Sequence, residues 1–259
     1  MTDDTQKPDQ RGSIKSAERV MDLLELISRQ RDGLGFTALI DALDYPKSSL
    51  HGLLRALTDR GFLSYDPEGK VYRIGVGVWE AGQSYTQAAH TARVALPHLR
   101  NARDVLGETV QMAILDGLDN VYIAKEESPQ AFRLVSDVGN RLPAHTTGLG
   151  KVLLAALPSD ELDRRLEGVR LSRYTQHTVT GHDELKARLE RIRVLGYAED
   201  SGEYTLGLYC LAVPVKRRGS VVAAISCSTP VARLNRSVTP DPRMLNIMTS
   251  TAAAISRDL

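Results

Sequence analysis

Residues 46–75 read PKSSLHGLLRALTDRGFLSYDPEGKVYRIG, and this stretch decides how the first third of the chain folds. Pro46 suits the start of a helix, where its missing N–H is harmless. Leu50, Leu53, Leu54 and Leu57 recur at helical spacing and mark an inward side, and Gly61 is a natural stop. Beyond it, Phe62–Tyr65 and Val71–Ile74 alternate across the turn DPEGK, a β-hairpin signal. Working back, SAERVMDLLELIS at 16–28 gives a first helix, with Ser16 as its N-cap and Val20, Leu23, Leu24 and Ile27 as its buried stripe. Residues 37–43 give a short second helix, capped by Thr37, with Leu39, Ile40 and Leu43 inward. DYP joins it to the third. Three helices and then a hairpin describe a winged helix-turn-helix, whose third helix enters the major groove of DNA.

The outward face of that third helix carries Lys47, Ser48, Ser49, His51 and Arg55. Free N–H groups at its start suit phosphate, Lys47 and the serines can fix register, and His51 and Arg55 can reach base edges. Lys15, with Arg11, precedes the first helix, while Lys70 and Arg73 sit on or beside the wing. Charge alone lends this face no support, because residues 11–75 hold ten Lys and Arg against nine Asp and Glu. The same pattern also fits a solvated helix face or a protein-interaction module.

The whole chain of 259 residues carries a formal net charge of +1, so any nucleic-acid contact must be local. With 42% hydrophobic and 25% charged residues it can bury a real core, which excludes a mainly disordered or fibrous protein. Aromatics at 5% argue against a stacking platform for single strands. MTDDTQKPDQRGS, residues 1–13, lacks the apolar core of a signal peptide and reads as a disordered tail. No apolar run approaches the roughly 20 residues of a membrane span. Cys210 and Cys227 cannot make a disulfide framework, and a reducing cytoplasm is the expected compartment.

Residues 76–90, VGVWEAGQSYTQAAH, show no strand alternation and read as a linker helix; another helix follows over 90–107. From Thr109 the pattern changes. VQMAIL and VYIAK flank DGLDN, a strong hairpin signal. Further strands fit Phe132–Ser136, Tyr209–Val215 and Val221–Ser228, and helices fit 150–157, 160–166, 183–195 and 243–256. Helices and strands that do not strictly alternate predict an α+β domain. In HTTGLGK, Gly148 and Gly150 would let the backbone approach a ligand, with Thr146 and Thr147 adding hydroxyls. A turn centred near Arg217–Arg218 would bring Cys210 near Ser226. Alternation then places Cys210, Ser226 and Ser228 on one face and Cys227 on the other.

Several long motifs in order now carry a resemblance. SAERVMDLLELI and PKSSLHGLLRALTDRGFL, then GETVQMAILDGLDNVYIAKEES, GNRLPAHTTGLGKVLLAALP, GYAEDSGEYTLGLYCLAVPV and VVAAISCSTPVARL, resemble the IclR family of bacterial transcription regulators over about residues 14–257. The resemblance implies a DNA-binding domain over 14–75, a linker over 76–90 that takes part in dimerisation, and a GAF- or PAS-like antiparallel-sheet effector domain over 91–259. It places Gly148, Leu149, Asp200, Cys210, Ser226 and Ser228 in one ligand pocket, beside Thr147, with Leu134, Leu142 and Leu208 as apolar walls. The implied partners are a palindromic double-stranded operator, a small effector of the carboxylic acid, amide or hydrazide type, and further copies of the chain, as dimer or tetramer. No cofactor, metal or membrane is implied, and the regulator is read as a repressor. Two positions depart from the family: Gly52 stands where many members carry Arg, and Lys216 and Arg217 stand where an aromatic and a small polar residue are usual.

Other motifs fail on spacing. GLGK lacks the earlier glycine of a phosphate-binding loop, since His145 stands there, and no G-x-S-x-G elbow occurs. His177 and His182 lie in loop and helix cap without metal-ligand spacing. One alternative of another class is a small-molecule enzyme using Cys210 or Asp200, with the first domain as an interaction module.

Overall fold

The computed structural model describes residues 14–83, 85–131, 137–234 and 240–259. Two compact units meet in sequence between Tyr85 and Thr86. The first comprises α1 (Lys15–Ser28), β1 (Leu34–Gly35), α2 (Phe36–Leu43), α3 (Lys47–Asp59), β2 (Leu63–Asp66), β3 (Val71–Ile74) and α4 (Val76–Gln83). Its core is Leu23 and Ile27 of α1, Leu39 of α2, Leu50, Leu54 and Leu57 of α3, and Leu63 of β2. These are the positions at which each helix's apolar period points inward.

The helix starts differ from the expected ones. Lys15 begins α1 instead of preceding it, with Ile14 at the N-cap. Gly35 caps α2 in place of Thr37, and neither cap uses a side chain. The reason for the second is long-range: Leu34 and Gly35 pair with Tyr72 and Val71, so β1 becomes the third strand of the wing sheet and delivers an extended backbone straight into α2. The wing turn is held by Asp66, whose carboxylate accepts from the N–H groups of Glu68 and Gly69. Gly75 closes the wing. A Cβ there would stand 2.2 Å from the Gly61 carbonyl oxygen, so this crossing of two turns admits only glycine.

The single helix expected over 76–90 is instead two, α4 and the first turn of α5 (Thr86–Leu106). Gly82 breaks the run, and its carbonyl accepts from the Tyr85 N–H at 3.0 Å in a closing turn. After α5 come β4 (Thr109–Asp116), β5 (Asp119–Glu126), β6 (Arg141–Pro143), α6 (Gly148–Ala155), α7 (Ser159–Leu166), α8 (His182–Leu195), β7 (Ala198–Ser201), β8 (Leu208–Arg217), β9 (Ser220–Pro230) and α9 (Pro242–Asp258). The strand expected over 132–136 lies outside the described residues. The strands form one antiparallel sheet in the order β6-β5-β4-β9-β8-β7.

The sheet is buried on both faces. On one, α5 and α9 cover Val110, Met112, Leu211, Val213, Ile225 and Cys227. On the other, α6 packs through Leu149, Val152 and Leu153 on Ala113, Ala198, Ala212 and Ala224. Small residues on the strands allow the close approach. Behind α6, α7 and α8 add Leu162, Leu166, Leu185 and Leu189.

Candidate functional site

Two surfaces merit attention, one in each unit. In the first, α3 buries its leucines and exposes Lys47, Ser48, His51, Gly52 and Arg55. Ser49 is half-buried, and its hydroxyl accepts from Arg19 of α1 at 3.1 Å. The Arg19 guanidinium also lies over the Tyr45 ring, 5.0 Å from its centre, and the Tyr45 hydroxyl donates to Asp22 at 2.5 Å. The turn before α3 is thus tied to α1. Burial and Asp22 together push the Tyr45 phenol up to about 12, so it stays a donor at any physiological pH. Lys15 and Lys70 are exposed. Arg73 of the wing pairs with Asp66 at 3.0 Å, which holds that carboxyl below its usual range. Of the candidate DNA contacts, then, Lys15, Lys47, Ser48, His51, Arg55 and Lys70 are exposed, whereas Ser49 and Arg73 are partly committed to the fold.

In the second unit a cavity of about 230 Å³ opens between the sheet and the head of α6. Thr147, Gly148 and Leu149 form its helical wall. Asp200 of β7, Cys210 of β8, and Ser226 and Ser228 of β9 form its strand wall, and Leu142 and Leu208 add apolar surface. The structure brings these nine expected residues together; the tenth, Leu134, lies outside the described residues. Tyr122, Asn140, Tyr204 and Thr205 also line the cavity and were missed from sequence. Tyr122 carried a signal, since it alternates inward with Asn120 along β5, before the irregularity that turns Ala124 into the α5–α9 core.

The hairpin register corrects one expectation. Cys210 stands opposite Ser228, and Ser226 opposite Ala212. The turn is the two-residue loop Arg218–Gly219, with φ of 50° and 85°, and Lys216 and Arg217 end β8 instead of forming the turn. An irregularity between Val215 and Lys216 adds a further residue of shift. The total slip is even, so Cys210, Ser226 and Ser228 keep their shared face, and Cys227 faces the α5–α9 core. Gly150 also has a different reason to exist: a Cβ there would meet the backbone of Ala144 at 2.2 Å, so close packing and not ligand approach excludes a side chain.

The wall's hydrogen bonds are mostly internal. Cys210 Sγ and Ser228 Oγ lie 3.1 Å apart, and Thr147 Oγ1 caps α6 by accepting from the Gly150 N–H at 2.9 Å. Asp200 accepts from the Glu203 N–H at 2.8 Å. It is the one charged side chain among the described lining residues. Burial pushes its carboxyl up to about 6, opposed by that N–H and by Lys151. Lys151 of α6 is itself 2% exposed, paired with Glu203 and donating to the Glu199 carbonyl of β7 at 2.7 Å. The Cys210 thiol is pushed up by burial and stays protonated, which leaves it no nucleophile. No three-residue metal-binding cluster and no helix long and apolar enough to cross a membrane occurs among the described residues.

Residues 16–67 match the profile for the IclR helix-turn-helix domain, and residues 83–257 match that for the bacterial transcriptional regulator IclR C-terminal domain. The chain belongs to the IclR family. As a member it is a DNA-binding transcriptional regulator, and the enzyme alternative falls, because its relatives are regulators. It is 36% identical over 223 residues to the HTH-type transcriptional regulator XynR of Escherichia coli K12, covering 86% of this chain and 88% of that one. It is 33% identical to the transcriptional repressor AllR of Klebsiella pneumoniae, covering 91% and 86%. Among solved structures, an IclR homolog from Microbacterium hydrocarbonoxydans complexed with 4-hydroxybenzoate superposes with a TM-score of 0.81 at 25% identity, covering 94% of this chain and 98% of that one.

Proposed function

We propose that this IclR-family regulator is a repressor whose hold on a palindromic operator is set by a small organic acid, or a related amide or hydrazide, bound in the α6 cavity. The observation that carries the reading is the wall itself. The N-terminus of α6, with unpaired N–H groups at Gly148 and Leu149, faces a strand wall bearing one acid and two serine hydroxyls. The helix end favours an anionic or carbonyl oxygen. Asp200 favours a hydroxyl or N–H donor. A ligand with an acceptor at one end and a donor at the other satisfies both, and a hydroxybenzoate, of the kind bound by the Microbacterium homolog, has that form.

Residues 14–75 make the DNA-binding part in this reading, with Lys15, Lys47, Ser48, Ser49, His51, Arg55, Lys70 and Arg73 toward DNA. Residues 91–259 make the effector domain. Two copies of α3 in a symmetric dimer or tetramer would read the two half-sites, and the expected compartment is the cytoplasm. The effector acts only through a difference in its affinity for the DNA-competent and DNA-released states.

The test is fluorescence anisotropy of the purified protein on DNA from upstream of its own gene, against a scrambled duplex, with and without a panel of small hydroxy acids. The reading requires preference for the native fragment and its loss with one class of acid. Equal binding to both duplexes that vanishes with salt, or a complex indifferent to every acid, would refute it.

A further inference from the structure

Lys151 is the only charged residue of α6, and its two partners bracket the cavity's acid. The ammonium donates to the Glu199 carbonyl at 2.7 Å and pairs with the Glu203 carboxylate. Glu199 stands one residue before Asp200 and Glu203 three residues after it, so a single cation spans the turn that carries Asp200. Glu203 is itself fixed in place. Its N–H donates to Asp200 Oδ1 at 2.8 Å, its carbonyl accepts from the Thr178 hydroxyl at 2.6 Å, and its carboxylate lies 3.5 Å from Arg188 of α8. Among the described residues the sealed side-chain polar atoms without a partner are Asn120 Nδ2 and Glu203 Oε2. Asp200 Oδ2 is not one of them. With Oδ1 pinned by the Glu203 N–H, Oδ2 is the oxygen that this lining residue leaves to the cavity.

The other groups that face Asp200 are the Tyr122 phenol of β5 and the Cys210 thiol of β8, which stands opposite it across the β7–β8 ladder; the Tyr204 phenol lines the same cavity. Burial pushes the first two up, so both stay neutral. The charges that Asp200 feels are therefore those of Lys151 and Glu203, and they pull in opposite directions: the ammonium favours an ionised acid and the carboxylate disfavours it. The difference is chemical. An ionised Asp200 only accepts hydrogen bonds, whereas a protonated one also donates. Within the proposed effector reading, on which this inference rests, we infer that Lys151 and Glu203 are positioning residues that set the specificity of the cavity through Asp200. The ammonium keeps Oδ2 an acceptor for the hydroxyl or N–H end of the effector, and Glu203 limits that hold. The cavity then selects hydroxy acids over oxo acids of the same skeleton, and the selection fades as Asp200 gains its proton near pH 6.

The test uses the full chain and two matched pairs of probes, 2-hydroxybutyrate against 2-oxobutyrate and 4-hydroxybenzoate against 4-formylbenzoate. Affinities are read by calorimetry at up to millimolar concentrations, the range expected of such small ligands. The Asp200 carboxyl is followed without ligand, as the infrared difference between each protein and its own Asp200→Asn counterpart. At about pH 8 the parent should bind the hydroxy member of at least one pair about 10- to 100-fold more tightly than its carbonyl partner, and the ratio should shrink toward about 1 at about pH 5. Lys151→Met should raise the Asp200 midpoint by about 1 pH unit or more and erase the preference at neutral pH. Glu203→Gln should lower the midpoint by about 1 unit and extend the preference to lower pH. Both variants break the same buried pair, so a merely structural role would move them together; shifts of one sign, or none in folded variants, overturn the inference. Should either variant not fold, the parent decides, because a hydroxy-acid preference that ignores pH overturns the inference as well. A parent chain that binds none of the four acids overturns the inference together with the effector reading. One that binds both members of each pair equally at about pH 8 overturns the inference alone.

Discussion

Asp200 makes stability depend on pH in a direction opposite to that of most carboxylates, and Asp200→Asn should remove that dependence. The group is 3% exposed and faces Lys151, Glu203, Tyr122 and Cys210, of which the Glu203 N–H and Lys151 favour its charged form and burial outweighs both. Its folded value, about 6, lies above the ordinary 3.8. The folded chain therefore holds this proton more tightly than the unfolded chain. The sign follows: the contribution to stability is fullest below about pH 4 and falls as pH rises through 6. Over that span the loss is about 3 kcal/mol, since one pH unit of displacement is worth 1.36 kcal/mol. An asparagine stays neutral throughout, but it brings two N–H donors that need acceptors, which offsets about 1 kcal/mol of the gain. The expected net gain at neutral pH is about 2 kcal/mol, or some 4–8 °C in Tm for a domain of this size. At pH about 4 the two proteins should match to within about 1 kcal/mol, because both then carry a neutral group at this position. Paired calorimetric scans of parent and variant across this range cancel every other titrating group. A variant equally displaced at all pH values, or less stable than the parent at neutral pH, would show that Lys151 already neutralises the charge and would refute the argument.

Three further outcomes can be checked directly. A Cβ at Gly52 would meet nothing within 4 Å, so Gly52→Ala should raise stability by about 0.5–1 kcal/mol in urea unfolding, through helix propensity alone. Glu203→Gln strips the buried Lys151 of its counter-charge and should cost about 3–5 kcal/mol by the same measurement, with partial recovery in the Lys151→Met/Glu203→Gln pair. Arg55 is exposed and, among the described residues, its ion pair is with Asp59 of its own helix, at 3.7 Å. Arg55→Ala should therefore leave thermal stability within about 0.5 kcal/mol while weakening operator binding. If its partner is a phosphate, the slope of log affinity against log salt falls by about 0.9; an unchanged slope with altered base preference assigns it to a base edge.

Much of this fold was legible because its signals are local. The α3 leucines, Pro46 and Gly61 decide a helix without reference to the rest of the chain. The turns at DPEGK and DGLDN likewise decide two hairpins. What stayed hidden depends on distant partners. No residue in 34–35 advertises a strand, and β1 exists because β3 offers its edge. The bulge near Val215 has no local mark either, so the β8–β9 register slipped while the side-chain faces survived, alternation being blind to an even slip. Lys151 and Asn120 did carry a signal. The first is a lone charge within GLGKVLLAAL, and the second occupies an inward position of β5 on the face it shares with Tyr122. A polar residue in an apolar register must find a buried partner.

The same alternation that made the site legible constrains how an effector could be felt elsewhere. None of the cavity residues belongs to the cluster beneath α5 and α9. Cys210 and Ser226 face the cavity, while Leu211 and Ile225, one residue along each strand, are sealed in that opposite core. Among the described residues the two faces are joined through the strand backbones, those of β8 and β9 included. A core packed on both sides of a sheet does not deform freely. A ligand that pulls the head of α6 toward β8 must either shift the strands as a unit or leave α5 unaffected. Because α5 begins one residue after Tyr85, it is the element through which the chain enters the sheet domain, and a shift of the strands felt by α5 would be the one to test for. Amide exchange along α5, compared with and without a bound hydroxy acid, separates the two cases: protection that changes in α6 alone would rule out transmission through the sheet.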